Sequence, residues 1–390
     1  MSALEREIYL DNSATTPLCD DAVEAINTAI KNYANPSSLH ALGLEAHKLI
    51  DTARSRLLSA LGLAADRTRR VIFTSGGSEA NNLAVFGVIR AKNFKFLPQI
   101  ITTDSEHPSL LEPITSLEKD GLVEVIKLPT VGGKIDISYL SSTICERTVL
   151  VSIMSVNNET GAIYDVKNAF DVVKRINPAT VTHTDAVQAF LKTNVNFRAL
   201  KADLITVSGH KINAPKGVGA LIVSGDIIKA KKLVPTLLGG GQEGNFRSGT
   251  ENVLGISALG AAAQYNKEKL SNFIAKTTEL SELLISLLPD SVKVNRPEAH
   301  APHIVSITLP AIKSETALHF LSGKGIYVSS GSACASNGRH KSHVLVAYGL
   351  SDLDTDCTLR ASLSDKVSED EIRYTAEMIG EAVRTLVKIG

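Results

Sequence analysis

From residue 71 onward, short apolar runs rich in β-branched residues alternate with longer stretches whose apolar positions recur at helical spacing. VIFTS (71–75), QIITTD (99–104), VEVIKLP (123–129), TVLVSIMSV (148–156) and VTHTD (181–185) predict strands, with helices between them over 79–90, 109–120, 138–145 and 169–176. Two further apolar runs, 204–207 and 218–223, bracket a turn punctuated by Gly and Pro. Strands that alternate with helices predict a mainly parallel sheet covered on both faces. Ahead of it, one helix is predicted over 22–33 with Asp20 or Asp21 as its N-cap, and a second running to about residue 62. Behind it comes a long helical stretch, 253–288, and then a different pattern: strand 303–310, helix 315–321, a small-residue loop, helix 343–348, strand 357–364 and a last helix. Ser368 and Glu371 have capping-box spacing and fix where that helix begins. This change predicts three parts: an N-terminal segment 1–14 that packs with the smaller unit, a large domain 15–260, and a small α+β domain 261–390.

The charge balance narrows the partners. Forty-one basic and 41 acidic residues cancel, which argues against nucleic acid or an anionic membrane as the main partner. No apolar run approaches the ~20 residues of a membrane span, and MSALEREIYL has no signal-type apolar core. A soluble, cytoplasmic protein is expected. The basic cluster 67–70 reads as a surface patch. Cys19, Cys145, Cys334 and Cys357 show no C-x-x-C spacing, so neither a disulfide framework nor a zinc site is indicated. Cys334 stands apart, because SSGSACASNG offers nothing large to bury it and predicts an exposed thiol.

Candidate chemistry collects where strands end, which is where ligands bind in such sheets. In VIFTSGGSEANN (71–82) a strand runs through glycines into a helix, whose first turn offers unpaired N–H donors to an anion. Asp185 closes one strand, with Gln188 a helical turn further on, and Lys211 sits in the turn after another. Alone, Lys211 reads as a solvated loop charge and Asp185 as a helix cap. Together, an anion cradle, a carboxylate and an amine are the groups that pyridoxal phosphate requires for its phosphate, its pyridine nitrogen and its aldehyde.

The blocks YLDNSATTP (9–17), NPSSLH (35–40), FTSGGSEANN, SEHPS (105–109), VNNETG (156–161), TDAVQ, SGHK, FRSGTEN (246–252) and SSGSAC (329–334) occur in the order of one family. On these motifs the chain resembles the cysteine desulfurases of the class V aminotransferase group, from nearly end to end. The resemblance implies a pyridoxal-phosphate transferase of fold type I, with a mainly parallel seven-stranded sheet, helices on both faces and a smaller α+β C-terminal domain. It also implies roles. Lys211 forms the Schiff base and moves the Cα proton, Asp185 pairs with the pyridine nitrogen, and Gln188 and Asn158 bond the phenolic oxygen. His107 stacks on the ring. Gly77, Ser78, Ser208 and His210 hold the phosphate, with Thr250 reaching over from the partner of a homodimer. Arg360 grips the substrate carboxylate, with Asn35 and Asn158 beside it, and Cys334 takes sulfur from L-cysteine as a persulfide for an acceptor protein that serves iron–sulfur cluster assembly or tRNA thiolation. The segment 332–350 resembles the long-loop branch of the family.

Some positions depart from the family pattern: Ser13, Gly77 and Ser78 in place of an Ala-Thr pair, Asn213 and Ala214, Ala335, and a basic tip over 337–341 that leaves the partner open. Ser78 keeps a hydroxyl for phosphate. Rival readings are a selenocysteine lyase or another class V lyase or transaminase, a noncatalytic scaffold for sulfur transfer, and a nucleotide-binding protein. The last rests on GGGQEG (239–244), which follows no clear strand and opens no apolar helix.

Overall fold

The computed structural model describes residues 7–330 and 341–387. In chain order its elements are β1 (Ile8–Tyr9), α1 (Asp20–Lys31), α2 (Ala41–Ala60), β2 (Arg70–Thr74), α3 (Gly77–Ile89), β3 (Gln99–Thr103), α4 (Pro108–Lys119), β4 (Glu124–Leu128), α5 (Ile137–Thr143), β5 (Thr148–Ser152), α6 (Val166–Ile176) and β6 (Val181–Asp185). There follow β7 (Leu204–Ser208), β8 (Gly219–Val223), α7 (Gly225–Lys229), α8 (Val253–Leu287), β9 (Lys293–Val294), β10 (Ile304–Thr308), α9 (Ser314–Gly323), β11 (Ile326–Tyr327) and β12 (Ser329–Ser330). The chain ends with α10 (His343–Tyr348), α11 (Asp352–Asp356), β13 (Thr358–Ser362) and α12 (Glu369–Thr385).

Every residue of β3, β6, β7 and β8 is buried, as strands covered on both faces require. They belong to a seven-stranded sheet in the order β2-β8-β7-β6-β5-β3-β4, parallel except for β8, which is antiparallel to both neighbours. The exception has a simple cause. Only 209–218 separate β7 from β8, and a crossover to a parallel strand takes about a dozen residues or more. The strand order reverses between β3 and β5, so a crevice opens beyond their C-terminal ends.

One face of the sheet is packed by α1, α2, α5, α6 and the first part of α8, and the other by α3 and α4. Gly260 of α8 lets α2 come close, since a Cβ there would lie 2.6 Å from the Cα of Ala53. A separate core joins Ile8 and Leu10 to β10, β13, α9, α12 and the far end of α8, around the antiparallel sheet β12-β13-β10-β9. The break predicted near residue 260 falls inside α8, which is one continuous helix.

Two local expectations are corrected. Cys19, not Asp20 or Asp21, is the N-cap of α1, with no side-chain bond, and both aspartates sit in the first turn, where the helix dipole favours them. The residues after Asp185 form tight turns rather than a helix. Within GGGQEG, Glu243 is buried, accepts two bonds from Arg54 at 2.6 and 2.9 Å and a third from the N–H of Phe73, so that loop ties down an edge of the sheet. Ser368 and Glu371 form the predicted capping box. Among the described residues no helix is long and apolar enough to cross a membrane, and Cys19, Cys145 and Cys357 are free thiols.

Candidate active site

The end of β2 feeds through Gly76 into α3, whose N-cap offers no side-chain bond. A Cβ on Gly77 would lie 3.0 Å from Val187 and 3.5 Å from Ser208, so glycine lets the turn after β6 and the end of β7 close on this helix start. Gly77, Ser78 and Ser208 thereby gather round an uncapped helix N-terminus, with Ser78 exposed at its rim. His210 lies in the turn after β7, its Nδ1 3.2 Å from the Thr15 hydroxyl. Burial, with Lys211 and Lys192 nearby, pushes its pKa down to about 4, so the ring is neutral. Thr250 is exposed.

Asp185 is buried at the end of β6. Its Oδ1 accepts from the Val187 N–H at 2.9 Å and its Oδ2 from Asn81 Nδ2 at 2.7 Å. That amide nitrogen also donates to Ser109 Oγ at 2.9 Å, and Ser109 Oγ lies 2.8 Å from His107 Nδ1. Asn81 and Ser109 thus link the carboxylate to the imidazole. His107 caps α4, its Nδ1 accepting from the Ser109 N–H, which leaves Nε2 as the protonated nitrogen. Burial pushes its pKa down, Asp185 pulls it up, and Lys211 and His343 lower it again.

Next to it, Glu106 is fully buried. Its Oε1 accepts from the Met154 N–H and Thr103 Oγ1, while Oε2 has no partner among the described residues. Burial and the charge of Asp185 push its pKa up to about 8. A carboxyl raised in this way is protonated in the folded chain and ionised in the unfolded one, so stability falls as pH climbs from about 4.5 to about 8. Glu106→Gln keeps the acceptor oxygen and removes the titration. Urea midpoints measured across that range should decline less in the variant than in the parent; parallel curves would show that Glu106 does not titrate there.

Lys211 Nζ donates to the carbonyls of Ser13 and Ala14 at 2.6 and 2.7 Å. Gln188 Nε2 donates to the same Ser13 carbonyl at 2.8 Å. On β13, buried Arg360 donates to the Asn158 carbonyl at 2.9 Å and to Asp11 Oδ1 at 2.8 Å, while its Nε and the Oδ1 of Asn158 are buried with no partner among the described residues. Asn35 is exposed, and its side chain folds back on the Ser37 N–H. Cys334 lies outside the described residues. Sequence reasoning missed Asn81, Glu106, the Ser13 and Ala14 carbonyls and Asp11. Only Asn81 left a signal: a polar residue four after Gly77, on a helix face otherwise buried.

The family model for aminotransferase class-V matches residues 8–374. A cysteine desulfurase of Nostoc sp. is 37% identical over 385 residues, covering 97% of this chain and 93% of that protein. Among solved structures, a NifS-like protein superposes with a TM-score of 0.89 at 33% identity, covering 98% of this chain and 100% of that one. A structure described as SspA in complex with cysteine is 29% identical, with a TM-score of 0.78, over 92% of this chain and 99% of its own.

Proposed function

The chain belongs to the class-V aminotransferases, and from that premise we propose that it is a pyridoxal-phosphate-dependent cysteine desulfurase, converting L-cysteine to L-alanine and passing the sulfur on as a persulfide. The observation that carries this reading is the convergence of an uncapped helix start, a buried carboxylate, an imidazole and a lysine at the strand ends of a chain similar throughout to such an enzyme.

The residues suit the cofactor. The glycine-lined start of α3 has unpaired donors for a phosphate, and Asn158 Oδ1, buried with no partner among the described residues, marks a polar end open to a ligand. When bound, pyridoxal phosphate supplies an aldehyde for the substrate amine and a ring that accepts the electron pair left at Cα. Gly77, Ser78, Ser208 and neutral His210 hold the phosphate, joined by Thr250 across a homodimer. Asp185 accepts from the pyridine N–H, held in place by Asn81 and the Val187 N–H. Gln188 and Asn158 donate to the phenolic oxygen, and His107 covers the ring. Arg360 binds the substrate carboxylate, with Asn158 and Asn35 on either side.

Lys211 takes the proton from Cα. Its amine donates to two carbonyls, which orient it. His107, held neutral by burial with its proton on Nε2, positions the substrate thiol. The Cys334 thiolate then attacks the substrate sulfur. The Cβ–S bond breaks, an S–S bond forms, the electron pair returns to carbon with a proton to give alanine, and no outside oxidant is needed. Cys334 is left as a persulfide for an acceptor protein of iron–sulfur assembly or tRNA thiolation. The division into a cofactor-binding unit, 15–260, and a smaller unit with Cys334, 261–390, belongs to the same proposal.

Incubation with L-cysteine should yield alanine and one added sulfur on the peptide with Cys334, read by mass spectrometry. Cys334→Ser should keep the visible cofactor band and lose that label. Undiminished alanine formation by the variant would favour a lyase that releases sulfide, or selenide from selenocysteine, without a cysteine acceptor.

A further inference from the structure

Lys192 is a buried cationic side chain that the reaction above does not use. It is 4% exposed, although lysines are almost never buried without a partner. Its Nζ donates to Gln188 Oε1 at 3.2 Å, one turn back along the chain. The backbone is bent to put it there, for Leu191 just before it has φ 59°, a left-handed conformation that leucine rarely adopts. Among the described residues, the cations Lys211 and Arg360 act on it, and it acts in turn on His210 and His303. A cavity of about 210 Å³ behind Lys211 is lined by Lys192, with Asp365 and Glu371 also in its wall. Burial and the nearby cations push the amine well below the usual lysine range.

The arrangement has a use at Gln188. An amide is nearly symmetric in shape but has an accepting end and a donating end. Lys192 takes the accepting end, and the Ser13 carbonyl takes one hydrogen of the donating end. The second hydrogen is left over. We propose that Lys192 is a positioning residue of the cofactor site, fixing the Gln188 amide so that its free N–H faces the cofactor's phenolic oxygen. This rests on the cofactor dependence proposed above.

The test uses holoenzyme of the parent, Lys192→Met, Lys192→Gln, Gln188→Leu and the Lys192→Met/Gln188→Leu double variant. Three readouts are taken: the pH titration of the visible cofactor band, the rate of cofactor release, and the thermal midpoint. Lys192→Met should move the titration midpoint by about one pH unit and speed release about tenfold. Lys192→Gln, which keeps an N–H donor, should restore most of both. Adding Lys192→Met to Gln188→Leu should change neither, because the two act as one unit. The thermal midpoint of Lys192→Met at neutral pH should hold or rise, since an amine with a depressed pKa makes the fold less stable as pH falls below the ordinary lysine range. A titration and release rate equal to the parent's would overturn the proposal. So would an equal shift in the Gln188→Leu background, or failure of Lys192→Met to fold, which would make Lys192 a prop of the core. Absence of the visible band from the parent itself would sink the cofactor reading instead.

Discussion

Lys211→Ala should abolish turnover of L-cysteine while leaving a folded protein that binds the cofactor only loosely. The lysine has two duties in the proposed reaction, and alanine removes both. Without the amine no covalent link holds the cofactor, so the visible band should be lost on gel filtration from the variant and retained by the parent. Without the base at Cα, the rate should fall by about 10²–10⁴-fold, the usual share of a positioned acid–base group. The Ser13 carbonyl keeps its bond from Gln188, and the Lys211 side chain lines a cavity of about 210 Å³ from which water can reach the Ala14 carbonyl. The fold should therefore survive. A small primary amine added to the variant should recover part of the rate, since it can sit where Nζ sat. Turnover at the parent's rate would remove Lys211 from the mechanism.

Asp185→Asn should slow the reaction and shift its pH profile. An asparagine has one accepting oxygen where Asp185 uses two, against donors from Asn81 and Val187. Its amide hydrogens must then face one of those donors, and the negative charge next to the pyridine nitrogen is gone. A hydrogen bond to a charged group contributes roughly 1.5–3 kcal/mol, which is about 10- to 150-fold in rate. The sign of the pH effect follows from His107. Asp185 is the group that raises the imidazole pKa against burial and its cationic neighbours, so its loss lowers that pKa further. The imidazole must be neutral for Nδ1 to keep accepting from the Ser109 N–H, and the acid limb of kcat/KM should move to lower pH. An unmoved limb would separate His107 from the pH dependence.

The strands were legible because each carries a continuous apolar run, the signature of burial on two sides. Helix starts were harder to place. An aspartate near a helix start reads as a cap, but α1 begins two residues sooner than predicted, and Asp20 and Asp21 serve its first turn instead. After Asp185, Gln188 is expected one helical turn further on, yet the chain turns tightly to bring Gln188 and Lys192 inward. The site shows a similar split. Lys211, Asp185, His107 and Arg360 stand in recognisable blocks, and the structure places them at strand ends or on β13 with their bonding partners. Asn81 bonds to Asp185 across 104 positions of sequence, and Lys211 reaches Ser13 across 198. No local pattern announces such pairs, because they exist only once the sheet has brought its strand ends together.

The single helix α8 carries a consequence for how the molecule comes apart. Its 35 residues span about 50 Å at 1.5 Å per residue. Ile256, Leu259 and Ala263 are embedded in the core against the large sheet, and Leu280 and Leu284 in the core of the smaller one. The chain has no hinge between them along this route. Fraying of the helix at either end costs buried contacts on that side, and loss of its middle severs a shared axle. The two cores are therefore mechanically in series, and the protein should melt as one cooperative unit, not as two bodies with separate thresholds.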